Sequence, residues 1–418
     1  MDTTPKGNRL HIALLGRTNV GKSSFLNMMA GQDIAITSPV AGTTTDVVEK
    51  AMELLPLGPV LFLDTAGLDD VSELASLRLK KTEKIFDRAD VAILVTEPDV
   101  WGNYEEEVLG EMDKREVPVL VVINKIDLRQ PSETFLRELR ARTSRVVPVS
   151  SFDVQKRDAF VDALKRQLLE VAPDDFVQPP SLVGDLLPPG GLAVLVVPID
   201  LQAPKGRLIL PQVQTIRDAL DNDAAVLIVK ERELPATLAL LNRPPDVVIC
   251  DSQAILKVSA DVAPAIPLTT FSILFARQKG DLAAAAEGAA QIETLQSGDK
   301  VLIAEACSHH PLQDDIGRVK IPRWLKQYVG GDIRTDVSAG RDYPENLREY
   351  KLIIHCGGCM LTRREMLSRM QQAREAQVPV TNYGLAISFT QGVARRTLSP
   401  FPSALLAYDR KIQELRSR

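Results

Sequence analysis

His11–Asn27 reads HIALLGRTNVGKSSFLN. An apolar, strand-like run, His11–Leu15, ends at Gly16-Arg-Thr-Asn-Val-Gly21-Lys22-Ser23, and a helical pattern follows at once. This is the spacing G-x-x-x-x-G-K-[ST] in the context it needs, a strand before and a helix after. Glycines let backbone N–H groups approach phosphate oxygens, and a helix N-terminus adds a favourable dipole. Lys22 is expected to reach the β- and γ-phosphates, and the Ser23 hydroxyl to ligate magnesium. The whole run Asn19, Val20, Gly21, Lys22, Ser23 and Ser24 is assigned to nucleotide contact.

Three further motifs follow in order. Gly42-Thr43-Thr44-Thr45-Asp46 is where a switch loop would offer Thr44 to the metal. Asp64-Thr65-Ala66-Gly67 ends a strand; its carboxylate can hold magnesium through water, and the Gly67 N–H can sense the γ-phosphate. Asn124-Lys125-Ile126-Asp127 follows another strand, and Asp127 would accept from N1–H and the exocyclic amine of guanine, donors that adenine lacks. Ser150-Ser151, after the last strand, stands on the guanine side. Together they describe a GTP-binding domain.

The strands of this part read as His11–Leu15, 47–54, Val60–Leu63, Val91–Val95, Val119–Ile123 and Val146–Val149, with a helix over 156–172. Strands alternating with helices predict a doubly wound sheet. PDDFVQPPS at 173–181 reads as a linker. Alternation resumes over 182–267, with strands at 192–199, 225–229 and 247–250, and again over 268–418, with strands at 301–304, 351–354 and 378–381. The expected architecture is α/β in three domains: 1–172, an N-terminal P-loop GTPase with a doubly wound, mostly parallel sheet, then two smaller α/β domains at 182–267 and 268–418. The unusually apolar strands of the middle part suit a good core, or a sheet covered by a second copy of itself. The C-terminal YDRKIQELRSR reads as a solvated amphipathic helix.

A chain of 418 residues with 45% hydrophobic and 25% charged residues is globular, and its net charge of −5 argues against a general nucleic-acid binder. No apolar run approaches bilayer length, and MDTTPKGNRL lacks a signal-peptide core, so a cytoplasmic protein without a membrane partner is expected.

Of four cysteines and four histidines, six fall in two short pieces, VLIAEACSHHP at 301–311 and KLIIHCGGCM at 351–360. Cys307 and His309 lie just past one apolar strand; His355, Cys356 and Cys359 lie just past another. Parallel sheets bind ligands outside the carboxyl ends of their strands, so the two loops can face one crevice. Cys-x-x-Cys lets two thiolates converge on one metal. Cys250, closing DVVIC, suits a buried strand thiol instead. Spacing leaves the group open: three cysteines and a histidine complete a closed zinc site, and the same thiolates suit a four-iron, four-sulfur cluster. A thioredoxin-type redox pair would instead open a helix near the chain's first βαβ unit.

The GTPase motifs resemble the Era and TrmE branch. Leu68 stands where Ras-type proteins carry a water-positioning glutamine, and Asn19 matches an asparagine that helps bind an activating potassium ion. On that resemblance Asn19, Lys22, Thr44, Asp64 and Gly67 form the hydrolytic set. Joined to Cys307, His309, His355, Cys356 and Cys359, the motifs make the whole chain resemble the FeFe-hydrogenase maturation GTPases of the HydF family. The resemblance implies a GTPase domain, a middle dimerisation domain and a cluster-binding domain. It implies a 4Fe-4S cluster on Cys307, Cys356 and Cys359, with His309 and His355 as candidates for an exchangeable fourth ligand. It further implies a scaffold and carrier for the two-iron precursor of the hydrogenase active site, supplied by two radical-SAM maturases and received by apo-hydrogenase. The rival from another class is an Era-like, RNA- or ribosome-docking GTPase with a structural zinc; a second is a regulatory GTPase with a redox-sensing tail.

Overall fold

The computed structural model describes residues 4–31, 48–64, 85–198, 208–306, 315–340 and 342–417. It divides into two compact units, Met1–Pro179 and Pro180–Arg418, within the proline-rich stretch read as a linker.

In the first unit, β1 (Leu10–Leu15), β2 (Val48–Leu54), β3 (Gly58–Asp64), β4 (Val91–Thr96), β5 (Val119–Ile123) and β6 (Val146–Pro148) form a sheet in the order β2-β3-β1-β4-β5-β6. Among the described strands only β2 runs antiparallel, against β3. The inner strands are apolar at consecutive positions because both faces are covered. Leu10, Ile12 and Leu14 enter one core with Phe25 and Leu164, while Ala13 and Leu15 enter the opposite core with Met112 and Phe135. Helices Lys22–Ala30 and Arg157–Val171 therefore lie on one face, and Asn103–Lys114 and Glu133–Arg142 on the other.

The second unit holds two four-stranded parallel sheets. In the first, β7 (Leu192–Val196), β8 (Ala225–Val229), β9 (Val247–Cys250) and β10 (Leu268–Thr270) stand in the order β10-β9-β7-β8. Its edge strand β8 leaves Ile228 44% exposed. In the other, β11 (Lys300–Glu305), β12 (Arg334–Ala339), β13 (Leu352–His355) and β14 (Val380–Asn382) stand in the order β12-β11-β13-β14. The two sheets share one continuous core that runs from Leu182 to Tyr408.

Several sequence readings change. Leu268–Thr270, assigned to the start of the third part, pairs with β9 as an edge strand of the middle sheet. β12 is an added strand with no apolar face: RTDVSA is mostly exposed. The C-terminal helix begins at Pro402 and is not merely solvated, since Ala404, Ala407 and Tyr408 are buried. The Ala-rich helix Leu282–Ala290 is small for a packing reason. A Cβ at Gly288 would stand 2.0 Å from the Val380 carbonyl oxygen, so only glycine allows that approach to β14. No helix among the described residues is long and apolar enough to cross a membrane.

Candidate functional site: a nucleotide loop and a thiol–imidazole switch point

The phosphate-binding loop leaves the carboxyl end of β1, where the chain turns first to β3 on one side and later to β4 on the other. Its shape demands left-handed residues: Gly16 has φ +145°, Asn19 +66° and Gly21 +91°. A Cβ at Gly16 would lie 2.4 Å from the Val95 oxygen, and one at Gly21 2.4 Å from Asn124 Nδ2, so both positions are closed to side chains. Gly21 caps the helix Lys22–Ala30, leaving its first N–H groups for an anion. Lys22, only 6% exposed, donates from Nζ to the Gly16 and Arg17 oxygens at 2.6 and 3.0 Å. Ser23 is exposed and Ser24 half-buried on the first turn. Asp64 is buried at the end of β3. Thr44, Gly67 and Leu68 lie outside the described residues.

The guanine motif is tied to this loop. Asn124 Nδ2 donates to the Val20 oxygen at 3.0 Å, and its Oδ1 accepts from the Ser151 N–H and hydroxyl at 3.1 and 2.9 Å. Lys125 Nζ donates to the Asn19 oxygen at 2.6 Å and pairs with Glu97 at 2.5 Å. Asp127 Oδ1 accepts from the Ser150 hydroxyl at 2.6 Å, which leaves its other oxygen for a base. Ser150 and Ser151 therefore orient the Asp127 and Asn124 side chains.

The structure adds a brace that no motif announces. Arg17 makes a bidentate pair with Glu105 at 2.7 Å for each bond, and the Tyr104 hydroxyl accepts from the Gly16 N–H at 3.2 Å. Burial alone would raise the Glu105 carboxyl; the Arg17 guanidinium overrides it and holds the group below the usual carboxylate range. Glu105 sits in the first helical turn some ninety residues from the loop, where sequence offers no signal of contact.

The second site lies at a topological switch point. The chain passes from β11 to β12 on one side and then to β13 on the other, so a crevice opens beyond the carboxyl ends of β11 and β13. Ala304 and His355 are register partners, Cys356 N donates to the Ala304 oxygen at 2.9 Å, and Ala306 N donates to Cys356 Sγ at 3.1 Å. The residue after Ala306 is Cys307. Cys307, His309 and His310 lie outside the described residues. Among the described residues no three or more His, Cys, Asp or Glu group together as a metal site, and Cys250, Cys356 and Cys359 form no disulfide. Cys250 is fully buried in β9, as a strand thiol should be.

His355 is 2% exposed and faces a carbonyl: its Nδ1 lies 3.0 Å from the Cys356 oxygen. A carbonyl only accepts, so Nδ1 carries the proton and Nε2 keeps its lone pair. Nε2 is buried and, among the described residues, has no hydrogen-bond partner. Burial, then the charge of Arg369, push the imidazole down to about 3, so it is neutral at physiological pH. The donor types at the ends of these strands, thiols and a neutral imidazole with an unused lone pair, are those that zinc and iron–sulfur groups take.

Family models match most of the chain. A model described as the Hydrogen maturase F dimerization domain matches residues 182–280, and one described as the Hydrogen maturase F tetramerization domain matches residues 283–400. The chain belongs to the hydrogen maturase F family. A third model, described as 50S ribosome-binding GTPase, matches residues 11–125 of this hydrogen maturase F chain, and the N-terminal unit is a GTPase domain. The GTPase Der of Wolinella succinogenes is 32% identical over 170 residues, 39% of this chain and 36% of that protein. The tRNA modification GTPase MnmE of Polynucleobacter asymbioticus is 35% identical over 166 residues, 39% of this chain and 34% of that protein. The chain thus spans about a third of the length of the curated relatives it matches. Among solved structures, a point variant of Aquifex aeolicus Era bound to GDP.AlF4- shares 20% identity, covers 56% of this chain and 98% of that one, and has a TM-score of 0.32. In this hydrogen maturase F chain both oligomerization domains follow the GTPase domain.

Proposed function

We propose that this chain is a GTPase and iron–sulfur carrier that holds the two-iron precursor of the FeFe-hydrogenase active site and delivers it to the apo-enzyme. The observation that carries the reading is a single hydrogen bond at the switch point. Cys356 Sγ is hydrogen-bonded to the N–H of Ala306, which immediately precedes Cys307, in a chain that also carries the nucleotide loop. Cys307, Cys356 and Cys359 hold a 4Fe-4S cluster, with His309 and His355 as exchangeable ligands or neighbouring donors. When bound, that cluster supplies an iron that the three thiolates leave open to the cargo.

In the GTPase domain, Lys22 and the N–H groups of Asn19–Ser24 hold the phosphates, and Ser23 and Thr44 hold magnesium, with Asp64 acting through water. Gly67 senses the γ-phosphate. Asn19 supports a potassium ion in the role an arginine finger plays elsewhere, since Leu68 cannot orient water. Potassium is therefore expected to stimulate hydrolysis over sodium at equal ionic strength, and Asn19→Ala to remove the difference; equal rates in both salts would dismiss the ion. Residues 182–267 serve as a dimerisation domain, with the half-exposed edge strand β8 among the surfaces a second copy could cover. The protein works in the cytoplasm with two radical-SAM maturases and apo-hydrogenase as partners.

The test is transfer. Anaerobically reconstituted protein loaded with a synthetic two-iron precursor should activate apo-hydrogenase, while the Cys359→Ala protein, treated identically, should not. Equal activation by both would remove the carrier role.

A further inference from the structure

Lys279 closes the helix Phe271–Lys279 and is 4% exposed. Its ammonium donates to the carbonyl oxygens of Gly358, Cys359 and Leu361 at 3.3, 3.2 and 2.6 Å. Three acceptors need three N–H donors, which an ammonium has and a neutral amine lacks. It stands over the Phe275 ring, 5.7 Å from its centre. Burying a cation is costly unless something offsets it. Carbonyl dipoles offset part of that cost. The acidic groups around it are Glu365 and, once a metal ionises them, the Cys356 and Cys359 thiols.

A loop strut alone does not require a charge, since a neutral amide could bond two carbonyls without the desolvation cost of an ion. Three thiolates on a cluster give the site a net negative charge that grows by one on reduction. A fixed cation beneath the Cys-x-x-Cys loop stabilises the reduced state more than the oxidised one.

We infer that Lys279 is a positioning residue for the thiolate site: it fixes the backbone of the 358–361 loop and, as a buried counter-charge, raises the reduction potential of the group held there. The inference rests on the iron–sulfur reading above, and metal content separates the two. Absence of iron and sulfide from the wild-type protein would remove that reading; a bound cluster with an unmoved potential would remove only the role of Lys279.

The measurement is a redox titration of the reconstituted full-length protein, followed by electron paramagnetic resonance. Lys279→Gln keeps donors but removes the charge, and Lys279→Arg keeps the charge. Lys279→Gln should retain the cluster and shift the reduced-to-oxidised ratio at least tenfold toward oxidised at a given potential, a fall of about 59 mV for a one-electron couple. Lys279→Arg should restore the wild-type value. Loss of the cluster from the Gln variant but not from the Arg variant also supports the counter-charge. An unmoved potential in Lys279→Gln overturns it, as does loss of the cluster from both variants with circular dichroism and GTP hydrolysis unchanged. Should Lys279→Gln not fold, Glu365→Gln decides. That variant keeps an acceptor for the Thr362 N–H, 2.9 Å from the present carboxylate, yet removes a negative charge. The potential should then rise, and an unchanged value overturns the electrostatic account.

Discussion

Asp127→Asn is expected to bind GTP roughly a hundredfold more weakly and to prefer xanthosine 5′-triphosphate. Asp127 accepts the Ser150 hydroxyl on one oxygen, which leaves lone pairs for guanine N1–H and the exocyclic amine. Hydrogen bonds to a charged acceptor are worth about 1.5–3 kcal/mol each, so losing one and weakening the other corresponds to roughly two decades in affinity. Asparagine turns one acceptor into an N–H donor, which faces the guanine amine unfavourably but matches the carbonyl that xanthine carries there. The Ser150 bond survives through the remaining carbonyl oxygen, so folding should be unaffected. Titration with fluorescent guanine and xanthine nucleotides reads the result; undiminished GTP affinity would mean that Asp127 does not face the base.

The second large effect is expected at the thiolates. Cys356→Ala and Cys359→Ala should each lose nearly all iron after anaerobic reconstitution while keeping wild-type GTP hydrolysis. Cys356 Sγ is held by the Ala306 N–H, and the carbonyl of Cys359 by Lys279, so both thiols are presented by fixed backbone. Two remaining thiolates cannot satisfy a four-iron cluster. The histidines should behave otherwise. A permanently bound imidazole would block the iron that receives a guest, so His309→Ala and His355→Ala, made singly, should retain the cluster. Loss of iron from either histidine variant would make that residue a fixed ligand. Loss of GTP hydrolysis in the cysteine variants would show that the two functions cannot be separated by these substitutions.

Much of this was legible in the sequence because the chemistry is local. Gly16, Gly21 and Lys22 lie within seven residues, and their spacing follows from the loop they must form. Inner strands such as β4 are apolar at successive positions because parallel sheets are covered on both faces. What stayed hidden depends on residues distant in sequence. β12 has no apolar face to betray it, and the Pro402–Arg416 helix shows its buried stripe only once the Ala-rich helix is packed beside it. Lys279 reads as one more basic residue at a helix end, although it is held by carbonyls about eighty residues away. Arg17 and Glu105 likewise meet only through the fold. For His355 the sequence supplied the ligand type; the carbonyl on Nδ1, which leaves the Nε2 lone pair unused, emerges only in the folded chain.

The most direct test of the central claim is elemental and spectroscopic analysis of anaerobically purified wild-type protein. The account predicts a brown protein with iron and acid-labile sulfide each at about four per chain. A colourless protein with one zinc per chain and no sulfide would contradict it, leaving a GTPase domain joined to a closed structural site.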